Sequence, residues 1–421
     1  MTLKKFEIKQ HFPIFINYVN LLSLLWVTGA LLFNDYSIVK AGYYFFFFSF
    51  VIEFFTDKKW QNIKKSKTNI YFIGMFIFFL LAIIWLPFEQ TNEYSRQLIE
   101  KRLPLLGFAV VGFCGVNRLY KLKYFLYAII SISIFAILFL VFYKIGIVDF
   151  LKNQNKGDLF AEARILHING HMEFNFYLNL SVVSIWYILR NRWRHLVRYE
   201  RYFFIAALTL IFGTLSITEG RSGFTGGMIL FLIIIFIELY RRRKILGFAF
   251  AFILPLLFVG MASNQRRISV EKINEEPRLF LWKTAWEVAK DSPIFGQGIS
   301  DAQVNFDKKI ILFETPEFKK YKESDEVTGY VDCHNQYMQT FMEFGILGLI
   351  VLLFLYFYPV LISDKERKVF SFIIIFLCAY QSVFDMFITG PFSPIFGILI
   401  LMMLVIKSEK KVDKEYAITE S

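Results

Sequence analysis

Apolar runs, most of about 17–25 residues, alternate along this chain with short polar stretches, a length that matches the hydrocarbon core of a bilayer. They fall near 13–33, 38–55, 69–88, 103–117, 124–143, 172–189, 203–218, 223–240, 245–262, 338–360, 369–388 and 391–407, the fourth being the shortest. Hydrocarbon offers no water to backbone N–H and C=O groups, so each run is expected as a helix. The alternating strands of about ten residues that build a membrane barrel do not occur. The pattern predicts an all-α polytopic membrane protein with about twelve transmembrane helices.

The polar stretches set the orientation. Lys58, Lys59, Lys64, Lys65 and Lys67 occupy one loop, Arg118, Lys121 and Lys123 another, and Arg190, Arg192, Arg194, Arg198 and Arg201 a third. Arg241, Arg242, Arg243 and Lys244, then Lys365, Arg367 and Lys368, continue the series. With twelve spans, all of these loops and both termini share one face, the cytoplasmic one by the positive-inside rule. Two longer segments then face away, about 144–171 and 263–333. The second is the one insert large enough for a subdomain. The expected division is therefore 1–262 for spans one to nine, 263–335 for a partly helical loop, and 336–421 for the last three spans and a cytoplasmic tail. Within the loop, Pro277 suits a first helical position. Leu279, Trp282, Trp286 and Ala289 share one face at spacings of three and four. Such a helix either lies at the membrane interface, where indoles are favoured, or packs that face on the spans.

Composition agrees: 56 % of the 421 residues are hydrophobic and 52 are Phe, too apolar for one soluble core. The net charge of +12 sits in loops between spans, which points to topology and not to nucleic acid. Cys114 and Cys378 fall inside spans and Cys333 beside His334, so no disulfide framework is expected. No P-loop motif occurs. The absence of an internal repeat argues against a two-halved transporter.

The candidate chemistry lies where polar groups gather on the non-cytoplasmic face. Arg221, in TEGRSG (218–223), is either an anion-binding fork or a cation snorkelling to lipid phosphates. Arg278, in the first turn of the loop helix, opposes the helix dipole. Its offsetting partner is either Glu275 or Glu276, or a phosphate-bearing substrate. His334, in DCHNQY (332–337), is either a base that takes a proton from a hydroxyl or a helix-capping histidine. Asp332 either orients its ring or faces water. His167 and His171 lack a third ligand, so no metal is expected; Arg164 and His167 are expected to line the same outer cavity, with Asn335 beside His334.

TEGRSGFTGG (218–227), RLFLWKTAWEVAKDSPIFGQG (278–298) and DCHNQYMQTFMEFGILGL (332–349) together resemble the O-antigen ligase/polymerase superfamily. The likeness covers about 203–360, and Gly220 stands where many relatives carry Ser before the Arg. The resemblance implies a metal- and cofactor-independent glycosyltransferase of the bacterial inner membrane, with the large loop periplasmic. Its donor would be a glycan on undecaprenyl pyrophosphate and its acceptor a sugar of lipid A core, with inversion at the anomeric centre. It assigns the functional Arg, Arg and His to Arg221, Arg278 and His334. Two rivals share these motifs, a repeat-unit polymerase and a protein O-oligosaccharyltransferase. A lipid-linked glycan flippase or transporter is the alternative of a different class.

Overall fold

The computed structural model describes residues 2–33, 36–62, 67–153, 156, 171–218, 221–251, 253, 277–312, 332–390 and 392–406. Its helices are α1 Thr2–Ala30, α2 Tyr36–Thr56, α3 Lys67–Trp85, α4 Ser95–Cys114, α5 Leu122–Leu138 and the short α6 Ile147–Lys152. They continue as α7 His171–Arg192, α8 Arg198–Ile217, α9 Arg221–Arg242, α10 Pro277–Ala289 and α11 Ile299–Leu312. The last three are α12 Gln336–Ile362, α13 Lys368–Phe384 and α14 Ser393–Leu404. Among the described residues there is no strand, and seven helices are long and apolar enough to cross a membrane. The protein is a multi-pass membrane protein.

The expected count of about twelve spans is not reached by this measure, for physical reasons. The helix α4 carries Glu100, Lys101 and Arg102, and α7 carries Asn175, Asn179, Ser181 and Ser184. The apolar helices α13 and α14 are short. The expected ninth span, 245–262, lies largely outside the described residues, as do the tail and much of both long outer segments.

At the centre stands α7, packed on α5, α8, α9 and α13 and buried along most of its length. Asn175, Asn179 and Ser181 bond to neighbouring elements. Asn179 Nδ2 donates to the Gly223 carbonyl at 3.0 Å, and Ser181 Oγ donates to Ser133 Oγ at 2.8 Å. Interhelical hydrogen bonds of this kind hold helices together where lipid supplies no hydrophobic drive. The other buried rod, α14, has Ser393 to Met403 all buried. Arg367 donates to the carbonyls of Met402 and Ile406 at its end, a favourable place for a cation. Lys59 is likewise buried, 2.7 Å from Glu53 and bonded to the Gly115 carbonyl at 2.8 Å. Two of the cations read as topology signals are thus internal clamps.

The longest helix, α12, is broken. Gly345 sits at φ 61°, ψ −155° inside it, a region open to glycine and closed to other residues. The segment after α10 enters the break. Gln297 N and Gly298 N donate to the carbonyls of Met342 and Glu343 at 3.0 and 2.9 Å, and Ile346 N donates to the Pro293 carbonyl at 2.9 Å. Backbone groups freed by the break are satisfied in this way, as the low-dielectric interior demands. The approach is close enough that a Cβ on Gly296 would lie 2.3 Å from the Glu343 carbonyl oxygen, and one on Gly345 equally near that of Ile294.

Beside the break, Arg102 of α4 grips Glu343 with Nη2 at 2.5 and 2.6 Å from its two carboxylate oxygens. Both side chains are 1 % exposed or less. Gln339 Nε2 donates to the same carboxylate at 2.9 Å, and Arg102 Nη1 donates to the Leu98 carbonyl.

The helix α10 packs on α11 and α12. Its buried face is Leu281, Ala285, Val288 and Ala289, while Leu279 and Trp286 are exposed. Of the two expected placements for the face of Leu279, Trp282, Trp286 and Ala289, packing it on the spans is not what is seen, since Leu279 and Trp286 stay exposed and a different face fills the groove. The helix rests against Ala302, Phe306 and Met342. No periodicity identified α11; its start is tied to the 86–95 turn, with Ser300 N donating to Glu89 and Gln90 N to Asp301, each at 2.7 Å.

Arg102→Ala strands a buried carboxylate and is expected to lower the unfolding free energy by about 3–5 kcal/mol. A variant with neither charge, Arg102→Met with Glu343→Met, is expected to recover most of that loss. Melts of the detergent-purified proteins read both, and equal losses would assign the effect to packing instead of charge.

Candidate active site

Three helix starts meet the last turn of α13. At the start of α9, Tyr380 OH donates to the Ser222 carbonyl at 3.0 Å and lies 2.7 Å from Thr225 Oγ1. From the first turns of α10, Trp282 packs on Phe384 with ring centroids 6.3 Å apart. At the start of α12, Tyr337 OH donates to the Ala379 carbonyl at 3.0 Å. Gln336 Oε1 accepts from the backbone N–H groups of Ile388 and Thr389 at 2.9 and 3.0 Å. Each helix start carries partial positive charge from its unpaired N–H groups. The small residues of the α9 start allow the approach: a Cβ on Gly223 would lie 2.3 Å from the Asn175 side chain.

Charged side chains gather at the same place. Asp385 follows α13 directly. It keeps some exposure, and His334, Asp332 and Arg278 all lie within electrostatic reach of its carboxyl. Lys101 of α4 lies within electrostatic reach of both Asp332 and Asp385. Arg278, His334, Asp332, Asp385 and Lys101 therefore form one electrostatic cluster.

His334 is held tightly within it. Its backbone N–H donates to Asp332 Oδ1 at 2.9 Å, and its Nδ1 lies 3.2 Å from the same oxygen. Its φ of 46° is left-handed, a conformation that costs most L-residues about 1–2 kcal/mol. The imidazole is still 32 % exposed, so a solute can reach it. Asn335 caps α12, its Oδ1 accepting from the N–H groups of Tyr337 and Met338 at 2.9 and 3.0 Å. Cys333 is wholly buried, with Sγ donating to the Asn335 carbonyl at 3.2 Å. Burial pushes its thiol up, so it is no thiolate nucleophile.

Of the residues singled out in the sequence, Arg278, His334 and Asn335 lie together here. Arg221 is the first residue of α9, a helix whose start is bonded to Tyr380; its side chain is outside what the structure describes. Arg164 and His167 also lie outside the described residues. Asp332 takes the orienting place that one reading gave it. Lys101 escaped sequence reasoning; its signal was a Lys101–Arg102 pair opening an apolar run. Trp282 Nε1–H is buried with no acceptor among the described residues, so it is available to a bound oxygen. Among the described residues, no group of three or more His, Cys, Asp or Glu side chains is placed to hold a metal ion.

A family model described as O-antigen ligase matches residues 205–353, from within α8 to within α12. No curated protein matches the chain.

His334→Gly relieves the left-handed backbone and is expected to leave stability unchanged or raised by up to about 1 kcal/mol. Asn335→Ala removes a cap and is expected to lower it by about 1 kcal/mol. Denaturant titration in micelles distinguishes the two, and a large loss in the glycine variant would locate the histidine's importance in packing.

Proposed function

We propose that this chain, a member of the O-antigen ligase superfamily through residues 205–353, transfers a glycan from undecaprenyl pyrophosphate to a sugar hydroxyl of lipid A core at the periplasmic face of the inner membrane. Glycan transfer in lipopolysaccharide or polysaccharide synthesis is the activity the family suggests; the donor, the acceptor and the residue roles are our reading. The observation that carries it is the convergence of an arginine and an oriented, accessible histidine at the meeting point of three helix starts.

A lipid pyrophosphate is an anion anchored at the lipid–water boundary. Arg278, Arg221 and the helix starts offer it forked donors and aligned dipoles. With Nδ1–H held against Asp332, the Nε2 lone pair of His334 accepts the proton of the attacking hydroxyl. That oxygen bonds to the anomeric carbon from the face opposite the leaving group, the carbon–oxygen bond to pyrophosphate breaks, and the anomeric centre inverts. The bonding pair leaves on the pyrophosphate, where the guanidinium groups stabilise the charge as it grows. A diphosphate is a stable leaving anion, so no general acid is required. Asp332 and Asp385 keep a proton-bearing imidazole compensated, and Asn335 serves by holding the loop that presents His334.

The rest of the early expectation keeps its form as a proposal. Residues 1–262 and 336–421 form the membrane body, 263–335 is the periplasmic loop subdomain, and Arg164 and His167 line the same outer cavity as substrate-binding residues. A repeat-unit polymerase uses the same chemistry with a second lipid-linked glycan as acceptor. Deletion of the gene separates the two on a lipopolysaccharide gel. Uncapped core with accumulated lipid-linked polymer supports the ligase, and core bearing a single repeat supports the polymerase.

Removal of one anion-holding donor is expected to lower turnover by about 10²–10³-fold in Arg221→Ala and Arg278→Ala. His334→Ala is expected to lose about 10²–10⁴-fold. Lysine at either arginine is expected to rescue little, because an ammonium lacks the planar fork. Glycan transfer by purified protein in vesicles measures all five, and near-normal rates in the alanine variants would remove the assignment.

A further inference from the structure

At the other end of the bundle, a cavity of about 820 Å³ opens between α7, α8 and α9. Its walls run inward along apolar side chains, among them Val182, Leu208, Phe212 and Phe231. Its mouth is lined by Arg190, Arg194, Arg241 and Arg242. The carboxylate there, Glu238, lies 3.1 Å from Arg190 and 4.0 Å from Arg241 and also accepts from Trp186 Nε1, so the mouth keeps an excess of positive charge. A second cavity of about 340 Å³ adjoins it across Arg190, Asn191 and Arg241, and adds Lys123, Arg192 and Lys365 against one carboxylate, Glu366. Trp186 and Trp193 flank the opening, with Arg190 and Arg201 over their rings at 5.1 and 4.9 Å.

The helix α9 runs from Arg221 to Arg242 over 22 residues, so this end lies about 33 Å from the candidate active site. The cavity belongs to different chemistry.

An apolar slot between membrane helices, closed by guanidinium groups at the level of an aromatic belt, has the polarity of a lipid turned inside out. Loop cations that served topology alone would need no slot beneath them. We propose that this end of the protein binds an anionic phospholipid of its own leaflet. Its acyl chain lies along Phe212 and Phe231, and its phosphate sits at Arg190 and Arg241. Because two cavities share those arginines, a lipid with two phosphates fits best.

The test uses the full chain, purified in mild detergent and offered equal amounts of cardiolipin, phosphatidylglycerol, phosphatidylethanolamine and undecaprenyl phosphate, with retained lipid read by native mass spectrometry. Cardiolipin is expected to be retained most and phosphatidylethanolamine least. At about fivefold per cation, the triple variant Arg194→Gln, Arg241→Gln, Arg242→Gln is expected to lose about 100-fold in anionic-lipid retention. A control triple on the same face but outside both cavities, Lys58→Gln, Arg118→Gln, Lys121→Gln, is expected to retain lipid as the parent does. Leu208→Trp, which narrows the slot and leaves every charge in place, is expected to reduce retention too. Equal retention of phosphatidylethanolamine, equal loss in the control triple, or preference for undecaprenyl phosphate would each overturn the proposal. The lipid competition needs no variant, so the question is decided even where a triple substitution fails to fold.

Discussion

The break in α12 at Gly345 is the constraint on which the half of this protein that holds the candidate site depends. A helix interrupted inside the bundle exposes carbonyls and N–H groups that lipid cannot satisfy. The segment after α10 satisfies them through Gln297, Gly298 and Pro293. That exchange anchors the loop subdomain to the membrane body, and each side stabilises the other. The positive φ angles at Gly296, Gly298 and Gly345 are the conformations this docking requires. The Arg102–Glu343 pair locks the same turn from the far side, where a single unpaired charge would be costly.

From that anchor the candidate site follows. Docking the 293–298 segment sets where α10 ends, and packing of Leu281, Ala285 and Val288 sets how α10 is turned. Arg278 then comes within electrostatic reach of Asp385, as His334 does. The break lies in the helix that begins just after His334, so one distortion bears on both the arginine-bearing helix and the histidine-bearing turn. The left-handed backbone at His334 is held by Asp332 and by the Asn335 cap, a local strain of the kind that persists where surrounding contacts overdetermine it.

The two ends of the bundle use cations differently. On the loop-helix side, Arg278 and Lys101 are balanced by Asp332 and Asp385 within one cluster. On the opposite side, arginines outnumber carboxylates around an apolar slot, while Lys59 and Arg367 turn inward as clamps. Charge counted by loop merges these jobs, since a buried clamp and an exposed headgroup contact read identically in a sequence.

What the sequence determined by itself was the run of apolar helices that makes this a multi-pass membrane protein. Hydropathy reports the transfer energy of a segment, and that quantity is local. It also made visible the helix from Pro277 and the motifs that carry the family likeness. Only the tertiary structure decided the break at Gly345, because the run 344–358 around it is continuously apolar or glycine and periodicity cannot register a segment that enters from elsewhere. The same holds for Arg102 and Glu343, whose pairing spans 241 positions, for the face that α10 buries, for α11, and for Lys101 within electrostatic reach of Asp332. Each is settled by which groups meet across the fold, and low dielectric makes those meetings energetically decisive while leaving no trace in the pattern of any one segment.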